Sequence, residues 1–188
     1  MMRLIFLFLF SFLLLIGRAQ YKPYHGDGIE DYLRFAPLTA TYVIKAAGVE
    51  GASSWKRLLV NSAASVALTS GTTFLLKRSI HSRRPDGTDR VSFPSGHTSF
   101  AFAGATILHK EYGKLSTWIS VAGYTVATVT ALERVRRNRH RWGDIIVGAT
   151  LGVLGTHAGY WLGDKLTGEK SRYVVGVTED GITLMVCL

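Results

Sequence analysis

Residues 143–163 read GDIIVGATLGVLGTHAGYWLG, a long apolar run with regularly spaced glycines. Its one carboxylate, Asp144, stands near the beginning. We predict a helix that begins at Gly143 or Asp144 and ends near Gly163. Glycines recur at 148, 152, 155, 159 and 163, and those four residues apart share a helix face. Small residues on one face let membrane helices approach closely, so this helix is predicted to pack tightly in a bundle.

Four further helices are predicted upstream. The first runs to about Ala47, with Asp31 as its N-cap and Pro37 inside it. The second runs from about Trp55 to Lys77 after a cap at Ser53 or Ser54. The last two run from Ser95 to about His109 and from Leu115 to Leu132. Residues 173–178 and 182–187 are β-prone and flank Glu179-Asp180-Gly181, which predicts a hairpin. The predicted fold class is all-α: an integral-membrane helical bundle of five to six apolar helices with a short C-terminal β-hairpin.

The composition limits the kinds of partner and site. At 188 residues the chain has the length of one domain. A hydrophobic content of 47% and a net charge of +9 fit apolar helices that alternate with basic loops. The charge favours a phosphorylated substrate or anionic lipid, whereas nucleic acid is not expected because no basic recognition helix is present. Cys187 is the only cysteine, which excludes an intrachain disulfide and a cysteine-based zinc site.

The N-terminus carries a targeting signal or an anchor. Residues 4–16 are apolar except for Ser11, and they follow Arg3. Such a segment is short for a membrane-spanning helix and typical of the core of a signal peptide. Residues 1–20 are therefore predicted to be a cleaved signal peptide or a retained anchor helix, residues 21–170 the main membrane domain, and residues 171–188 a hairpin tail.

Threading the apolar segments through a bilayer brings loops 77–97 and 133–144 to one side of the membrane. With the N-terminus inside, that side is extracytoplasmic. The positive-inside rule points the other way, because these loops are the most basic part of the chain. We give the N-terminal signal more weight, since the basic residues have a second use described below.

His140 and Asp144, four residues apart, suggest a nucleophile and its partner. A carboxylate on one imidazole nitrogen fixes the tautomer, turns the other nitrogen outward and stabilises the cation that forms on attack. A helix-capping Asp144 beside a surface His140 is the alternative interpretation, because His-x-x-x-Asp alone is a weak motif.

Residues 94–97, Pro-Ser-Gly-His, stand immediately before a predicted helix. Ser95 can cap that helix, Gly96 lets the backbone approach a ligand, and the free N–H groups of the first turn attract an anion. His97 is then placed to protonate a leaving oxygen and later to take a proton from water. The alternative is an ordinary N-cap beside a solvent-exposed His97.

Lys77, Arg84 and Arg134 are the candidate fixed cations. Phosphoryl transfer gathers charge on the equatorial oxygens, and a clamp of arginine and lysine can stabilise it without a metal. The other basic residues nearby are expected to contact solvent or lipid head groups: Arg78, Arg83, Arg90, Arg136, Arg137, Arg139 and Arg141.

Together the stretches resemble the three-part motif of the type 2 phosphatidic acid phosphatase family. They read Lys77-(x6)-Arg84-Pro85, Pro94-Ser95-Gly96-His97 and Arg134-(x5)-His140-(x3)-Asp144, and the resemblance covers about residues 31–164. It implies a membrane phosphatase that needs no metal or other cofactor. It also implies the roles of the site residues: His140 the nucleophile that forms a phosphohistidine, Asp144 its orienting partner, His97 the acid and then the base, and Lys77, Arg84, Ser95, Gly96 and Arg134 the groups that hold phosphate.

Glu133 departs from the family, which usually has Ser before the arginine. A carboxylate there would repel the substrate unless it turns away or pairs with Arg136 or Arg137. This departure puts one phosphate contact in doubt and leaves the mechanism unchanged.

The implied activity is hydrolysis of a phosphate monoester or diphosphate on a membrane lipid. Candidate lipids are lipid A, undecaprenyl diphosphate, phosphatidylglycerol phosphate and phosphatidic acid, and the basic mouth favours the first two. The expected location is the bacterial inner membrane, multi-pass, with the site facing the periplasm; the oligomeric state stays open.

Three alternatives are weaker. A vanadate-dependent haloperoxidase-like enzyme is disfavoured by the apolar segments. A metal site of His97, His140 and Asp144 is disfavoured by the neighbouring cations. A catalytically silent membrane scaffold is disfavoured by the intact motif.

Overall fold

The computed structural model describes residues 28–169 and 171, and two strands over residues 173–178 and 181–186. The apolar segment 4–16 lies outside these residues, so its role as a signal peptide or an anchor stays a prediction. The division of the chain into 1–20, 21–170 and 171–188 also stays a prediction.

Residues 28–169 fold into six helices that pack as one bundle. These are α1 (Glu30–Leu33), α2 (Ala36–Ala46), α3 (Trp55–Ser79), α4 (Gly96–Tyr112), α5 (Thr117–Arg136) and α6 (Trp142–Thr167). Strands β1 (Tyr173–Thr178) and β2 (Gly181–Val186) run antiparallel, with Tyr173 opposite Val186. Helix α6 packs on α3 and α4, and α4 packs on α5. The predicted all-α bundle is confirmed, and α3 to α6 begin and end within a few residues of their predicted bounds.

The helix predicted from Asp31 to Ala47 is wrong as a single element, because it is divided into α1 and α2. Pro37 lies in the first turn of α2. The N–H groups of that turn have no partner inside the helix, so proline loses no hydrogen bond there, and its fixed φ suits a helix. It therefore begins a helix instead of kinking one. Asp31 is not the N-cap, since Ile29 takes that position. The break sets α1 against α5.

The glycines of α6 let it approach two helices closely. A methyl group added at Gly148 would lie 2.7 Å from the carbonyl oxygen of Ser95, and one at Gly152 would lie 2.5 Å from that of Ser99. The other three glycines approach α3 in the same way: Gly155 at Thr69, Gly159 at Ser65 and Gly163 at Asn61. The predicted tight packing is confirmed, with the glycines on two faces of α6 instead of one.

Gly159→Ala is expected to lower the free energy of unfolding by about 1–3 kcal/mol, because the new methyl group would overlap backbone atoms of Ser65. Gly71→Ala is the matched control. Gly71 lies in α3, and a methyl group there meets no atom of the described residues within 4 Å, so no change or a small gain is expected. Thermal unfolding of the two variants in detergent measures the difference, and equal melting temperatures would contradict this packing.

A buried polar network ties α3, α4 and α6 together at the end remote from Lys77 and Asp144. Arg57 donates to both carboxylate oxygens of Asp164, at 2.8 and 2.9 Å. Glu111 accepts from Ser53 and from Tyr160, each at 2.7 Å. Charge-assisted, bidentate bonds of this kind are stronger than neutral ones, so this network fixes the helices whose other ends carry the motif residues.

Two helices are long and apolar enough to cross a membrane, Trp55–Ser79 and Trp142–Thr167. In each helix, only 33% of the most apolar stretch of 18 residues is buried inside the protein. Large apolar side chains on them are exposed, among them Leu59, Phe74, Leu75, Ile146, Leu154 and Trp161. Exposed apolar side chains along two long helices fit a surface that lipid can cover.

Candidate active site

The three motif stretches meet at the end of the bundle where α3 ends and where α4 and α6 begin. The Nη1 of Arg84 lies 3.3 Å from the Nε2 of His140. The backbone N–H of Ser95 donates to the carbonyl of Asp144 at 3.0 Å. A methyl group added at Gly96 would lie 3.7 Å from the Cε of Lys77. Residues far apart in the sequence are therefore adjacent, as the threading of the helices predicts.

His140 stands in the turn between α5 and α6, and only 2% of it is exposed. Its Nδ1 lies 3.4 Å from Asp144 Oδ2 and 3.4 Å from the hydroxyl oxygen of Ser92. A carboxylate on this side places the ring proton on Nδ1 and leaves the lone pair on Nε2. The contacts of His140 therefore favour the tautomer with the proton on Nδ1.

Asp144 holds His140 and caps α6 at the same time. Its Oδ2 accepts from the backbone N–H of Arg141 at 3.0 Å and from the hydroxyl of Ser92. The sequence left open a helix-capping Asp144 or one that orients His140, and the structure combines the two. His140 itself is buried instead of lying at the surface.

Sequence reasoning missed Ser92, which is fully buried. Its hydroxyl donates to Asp144, so an oxygen lone pair is left to accept from the Nδ1 of His140. Ser92 lies in the loop between α3 and α4, outside every motif. No pattern in the sequence distinguishes it from an ordinary loop serine.

Burial and the charges of Arg84, Arg134 and Lys77 together lower the pKa of His140 to about 4, against the raising effect of its hydrogen bond to Asp144. The ordinary value is about 6.5. His140 is therefore neutral throughout the physiological range, with the Nε2 lone pair available.

Arg84 and Lys77 are anchored by the α3–α4 loop. The Nε of Arg84 lies 2.7 Å from both carboxylate oxygens of Asp89. The Nζ of Lys77 donates to the carbonyl of Val91 at 2.7 Å. Anchored cations need little reorganisation when an anion arrives, which is the condition for electrostatic stabilisation of a transition state.

Arg134, near the end of α5, is 3% exposed. Its Nη1 donates to Glu30 Oε1 at 3.1 Å, and Arg137 donates to the same oxygen at 2.8 Å. The Nε of Arg134 is buried and has no hydrogen-bond partner among the described residues. A buried donor without a partner is costly, and a phosphate oxygen would satisfy it.

Ser95 and His97 lie at the start of α4. The Ser95 hydroxyl accepts from the Thr98 N–H at 3.4 Å, so Ser95 is the N-cap, as predicted. His97 is partly buried, and its Nε2 lies 2.6 Å from Asp31 Oδ1 and 3.1 Å from Arg34 Nη1. His97 is thus neither a solvent histidine nor unpartnered.

The comparison with known proteins agrees with the motif. A family model described as the PAP2 superfamily matches residues 58–167. The chain belongs to the PAP2 superfamily. The resemblance proposed from the three motif stretches is thereby confirmed.

One relative of the chain is a lipid A 1-phosphatase of Porphyromonas gingivalis, which is 41% identical over 152 residues. The match covers 80% of this chain and 34% of the relative, so the chain spans about a third of the length of the curated relative it matches. A solved structure, LpxE of Aquifex aeolicus, aligns with a TM-score of 0.56 at 20% identity. The alignment covers 80% of this chain and 93% of the LpxE chain. The two proteins therefore share a fold.

Glu133, which departs from the PAP2 pattern, pairs with Arg136. Its Oε2 accepts from the Nε of Arg136 at 2.8 Å and from its Nη2 at 2.7 Å. This is one of the two partners that the sequence suggested. The Glu133 charge is therefore partly neutralised on the outer surface of α5.

Two of the arginines expected to contact solvent or lipid do not fit that expectation. Arg137 pairs with the fully buried Glu30, and Arg139 donates to the buried Asp86 at 2.8 Å. A buried carboxylate requires a partner, and these acids come from segments that the sequence does not bring near the arginines. Both side chains belong to the framework of the PAP2 site.

Glu30 and Asp31 are the other residues that sequence reasoning missed as part of this site. Acidic residues in the first turn of a helix are common because they suit the helix dipole, so the pair gave no signal of its own.

Within the described residues, no group of three or more histidine, cysteine or acidic side chains is arranged to hold a metal ion.

Proposed function

We propose that this chain is a phosphatase that removes phosphate from a membrane lipid by transfer to His140. The observation that carries the proposal is the state of that imidazole. It is buried and neutral, Nδ1 faces the Asp144–Ser92 pair, and Nε2 lies 3.3 Å from an arginine that can hold phosphate. A nucleophile, an orienting carboxylate and an anion-binding group in contact form the arrangement that covalent phosphoryl transfer requires.

The proposed reaction has two steps. In the first, the Nε2 of His140 attacks phosphorus, the bond to the lipid oxygen breaks, and His97 gives that oxygen a proton. In the second, His97 takes a proton from water, the water oxygen attacks phosphorus, and the N–P bond breaks to release phosphate. Each histidine ends as it began.

The phosphate is held, in this proposal, by Lys77, Arg84, Arg134 and the first turn of α4 at Ser95 and Gly96. Three cations offset the charge on the equatorial oxygens. The unpartnered Nε of Arg134 supports this, because an oxygen of the substrate would complete its hydrogen bonding.

The substrate we favour is lipid A, with undecaprenyl diphosphate, phosphatidylglycerol phosphate and phosphatidic acid as the other candidates. The lipid A 1-phosphatase relative supports the first choice, and the basic loops suit a head group with several charges. Two apolar helices with mostly exposed surfaces support insertion in a bilayer. We place the site at the periplasmic face of a bacterial inner membrane, where a lipid can enter sideways between helices.

The proposal is tested by phosphate release from the detergent-purified chain with EDTA present, using these four lipids. We expect release of phosphate from at least one lipid, with lipid A the best, and none by His140→Ala. Activity that EDTA abolishes would contradict the metal-independent mechanism. No release from any of the four lipids would contradict the proposed substrate class.

A further inference from the structure

We propose that Asp31 is a positioning residue for proton transfer: it accepts a hydrogen bond from Nε2–H of His97, so that the Nδ1 of His97 exchanges the proton with the leaving group and with water. The inference rests on the proposed function and adds a residue that lies outside the three motif stretches.

The geometry of Asp31 fixes its carboxylate on the ring of His97. Oδ1 lies 2.6 Å from Nε2 of His97, and Oδ2 accepts from the backbone N–H of Gly28 at 2.9 Å. Oδ1 also lies 3.8 Å from the Nη1 of Arg134. With both oxygens engaged, the carboxylate is held by α1 and α5 while it faces α4.

Arg34 competes for the same nitrogen, since its Nη1 lies 3.1 Å from Nε2 of His97. A guanidinium can only donate hydrogen bonds. Nε2 therefore either donates a hydrogen bond to Asp31 or accepts one from Arg34. The second choice would place an Nε2 lone pair against a carboxylate at 2.6 Å. Asp31 therefore accepts a hydrogen bond from Nε2–H of His97.

The ionisation of Asp31 agrees with that choice. Burial acts to raise the pKa of Asp31, but hydrogen bonds from Gly28 and His97 and the charge of Arg134 bring it below its ordinary value. Asp31 is a carboxylate at neutral pH, which makes it an acceptor and makes Nε2 of His97 the donor.

The consequence concerns the other nitrogen of the ring. Every hydrogen bond of His97 within the described residues involves Nε2, which leaves Nδ1 without a partner there. Burial and the charges of Arg134 and Arg34 lower the pKa of His97 to about 3 against the raising effect of Asp31, and the negative charge of a bound phosphate raises it again. In the first step the imidazolium that forms with the phosphate bound gives its Nδ1 proton to the lipid oxygen as the P–O bond breaks. In the second step the neutral Nδ1 takes the proton of the attacking water as the N–P bond breaks.

Both histidines of the site are then oriented by a carboxylate, but the carboxylate lies at a different ring nitrogen in each. Asp144 lies at Nδ1 of His140 and leaves Nε2 to attack phosphorus. Asp31 lies at Nε2 of His97 and leaves Nδ1 to move protons. The charged groups facing His97 are Asp31 and Arg34 from the α1 region and Arg134 from α5, and Asp31 is the only acid among them.

The first test compares leaving groups in Asp31→Asn. With a lipid monoester, whose alkoxide must be protonated as it leaves, kcat is expected to fall about 10–100-fold while KM changes by less than about twofold. With 4-nitrophenyl phosphate, whose leaving group needs no proton, the first turnover is expected to match the wild type. Glu50→Gln, a change to an exposed carboxylate that lies 3.9 Å from Lys45 in the turn between α2 and α3, is the matched control and should leave both rates unchanged.

Equal loss on both substrates would mean that Asp31 acts only on the structure, and no loss on the lipid would mean that His97 does not need it. Either result overturns the inference.

The second test does not depend on activity. Nitrogen-15 NMR of the full chain, with histidines labelled and His97 assigned from a His97→Gln variant, reports which ring nitrogen carries the proton. At a pH where the ring is neutral, we expect the Nε2–H tautomer. An Nδ1–H tautomer would overturn the inference even in an active enzyme, whereas failure of the wild type to release phosphate would overturn the proposed function alone.

Discussion

His140→Ala is expected to reduce phosphate release by about 10⁴–10⁶-fold. The change removes the imidazole whose Nε2 lies beside Arg84 and whose Nδ1 faces Asp144. His97 is not expected to replace it, because its Nε2 is engaged by Asp31 and its Nδ1 is needed for proton transfer in the proposed reaction. The measurement is initial-rate phosphate release from the best lipid, for the variant and the wild type side by side.

The control for His140→Ala is binding. Lys77, Arg84 and Arg134 remain, so the Kd of inorganic phosphate should stay within about threefold of the wild-type value. Activity within about tenfold of the wild type, in a variant that binds and folds normally, would exclude His140 as the nucleophile.

Asp144→Asn is expected to reduce kcat by about 10²–10⁴-fold. The contacts of Asp144 with Arg141, Ser92 and His140 all use Oδ2, so a carboxamide oxygen at that position keeps the geometry. What the variant removes is the negative charge beside Nδ1 of His140, which stabilises the cation that forms on the ring when Nε2 attacks phosphorus. The measurement is kcat on the same lipid, with KM determined separately.

Stability provides the control for Asp144→Asn. The carboxamide oxygen can keep the bond from the N–H of Arg141 that caps α6, and a cap of this kind is worth about 0.5–2 kcal/mol, so the melting temperature should fall only slightly while kcat falls by orders of magnitude. Ser92→Ala keeps the Asp144 carboxylate and should cause a smaller loss. A wild-type kcat in Asp144→Asn, or a loss matched by an equal loss of folded protein, would contradict the role given to Asp144.

A carboxylate accompanies most of the buried arginines around the site. Asp89 pairs with Arg84, Glu30 with Arg134, and Asp86 with Arg139. Three unpaired cations this close would repel one another and resist burial. The paired carboxylates reduce that repulsion and hold each guanidinium in one orientation, while the buried Nε of Arg134 stays available.

Much of this arrangement could be predicted from the sequence, because the signals are local. The apolar runs of α3 and α6 and the serine caps at 54 and 95 depend on residues close together in the chain. The motif spacing was specific enough to indicate the PAP2 superfamily, and the family match confirms it. Threading the helices through a bilayer brought residues 77–97 and 133–144 together.

The rest depends on contacts between distant segments. The break that divides α1 from α2 sets Glu30 beside Arg134 and Asp31 beside His97. An acid pair before an apolar helix is ordinary in sequence, so its place in the site could not be inferred. The same holds for Ser92, whose only distinguishing feature is the hydroxyl it brings to Asp144.

The most direct test of the central claim is to trap the intermediate. His97→Ala lacks the base for the second step, so incubation with 4-nitrophenyl phosphate should leave phosphate attached to the chain. Digestion under alkaline conditions, which preserve phosphohistidine, followed by mass spectrometry should locate that phosphate on His140. Release of one equivalent of nitrophenolate with phosphate found on another residue, or on none, would contradict a mechanism through His140.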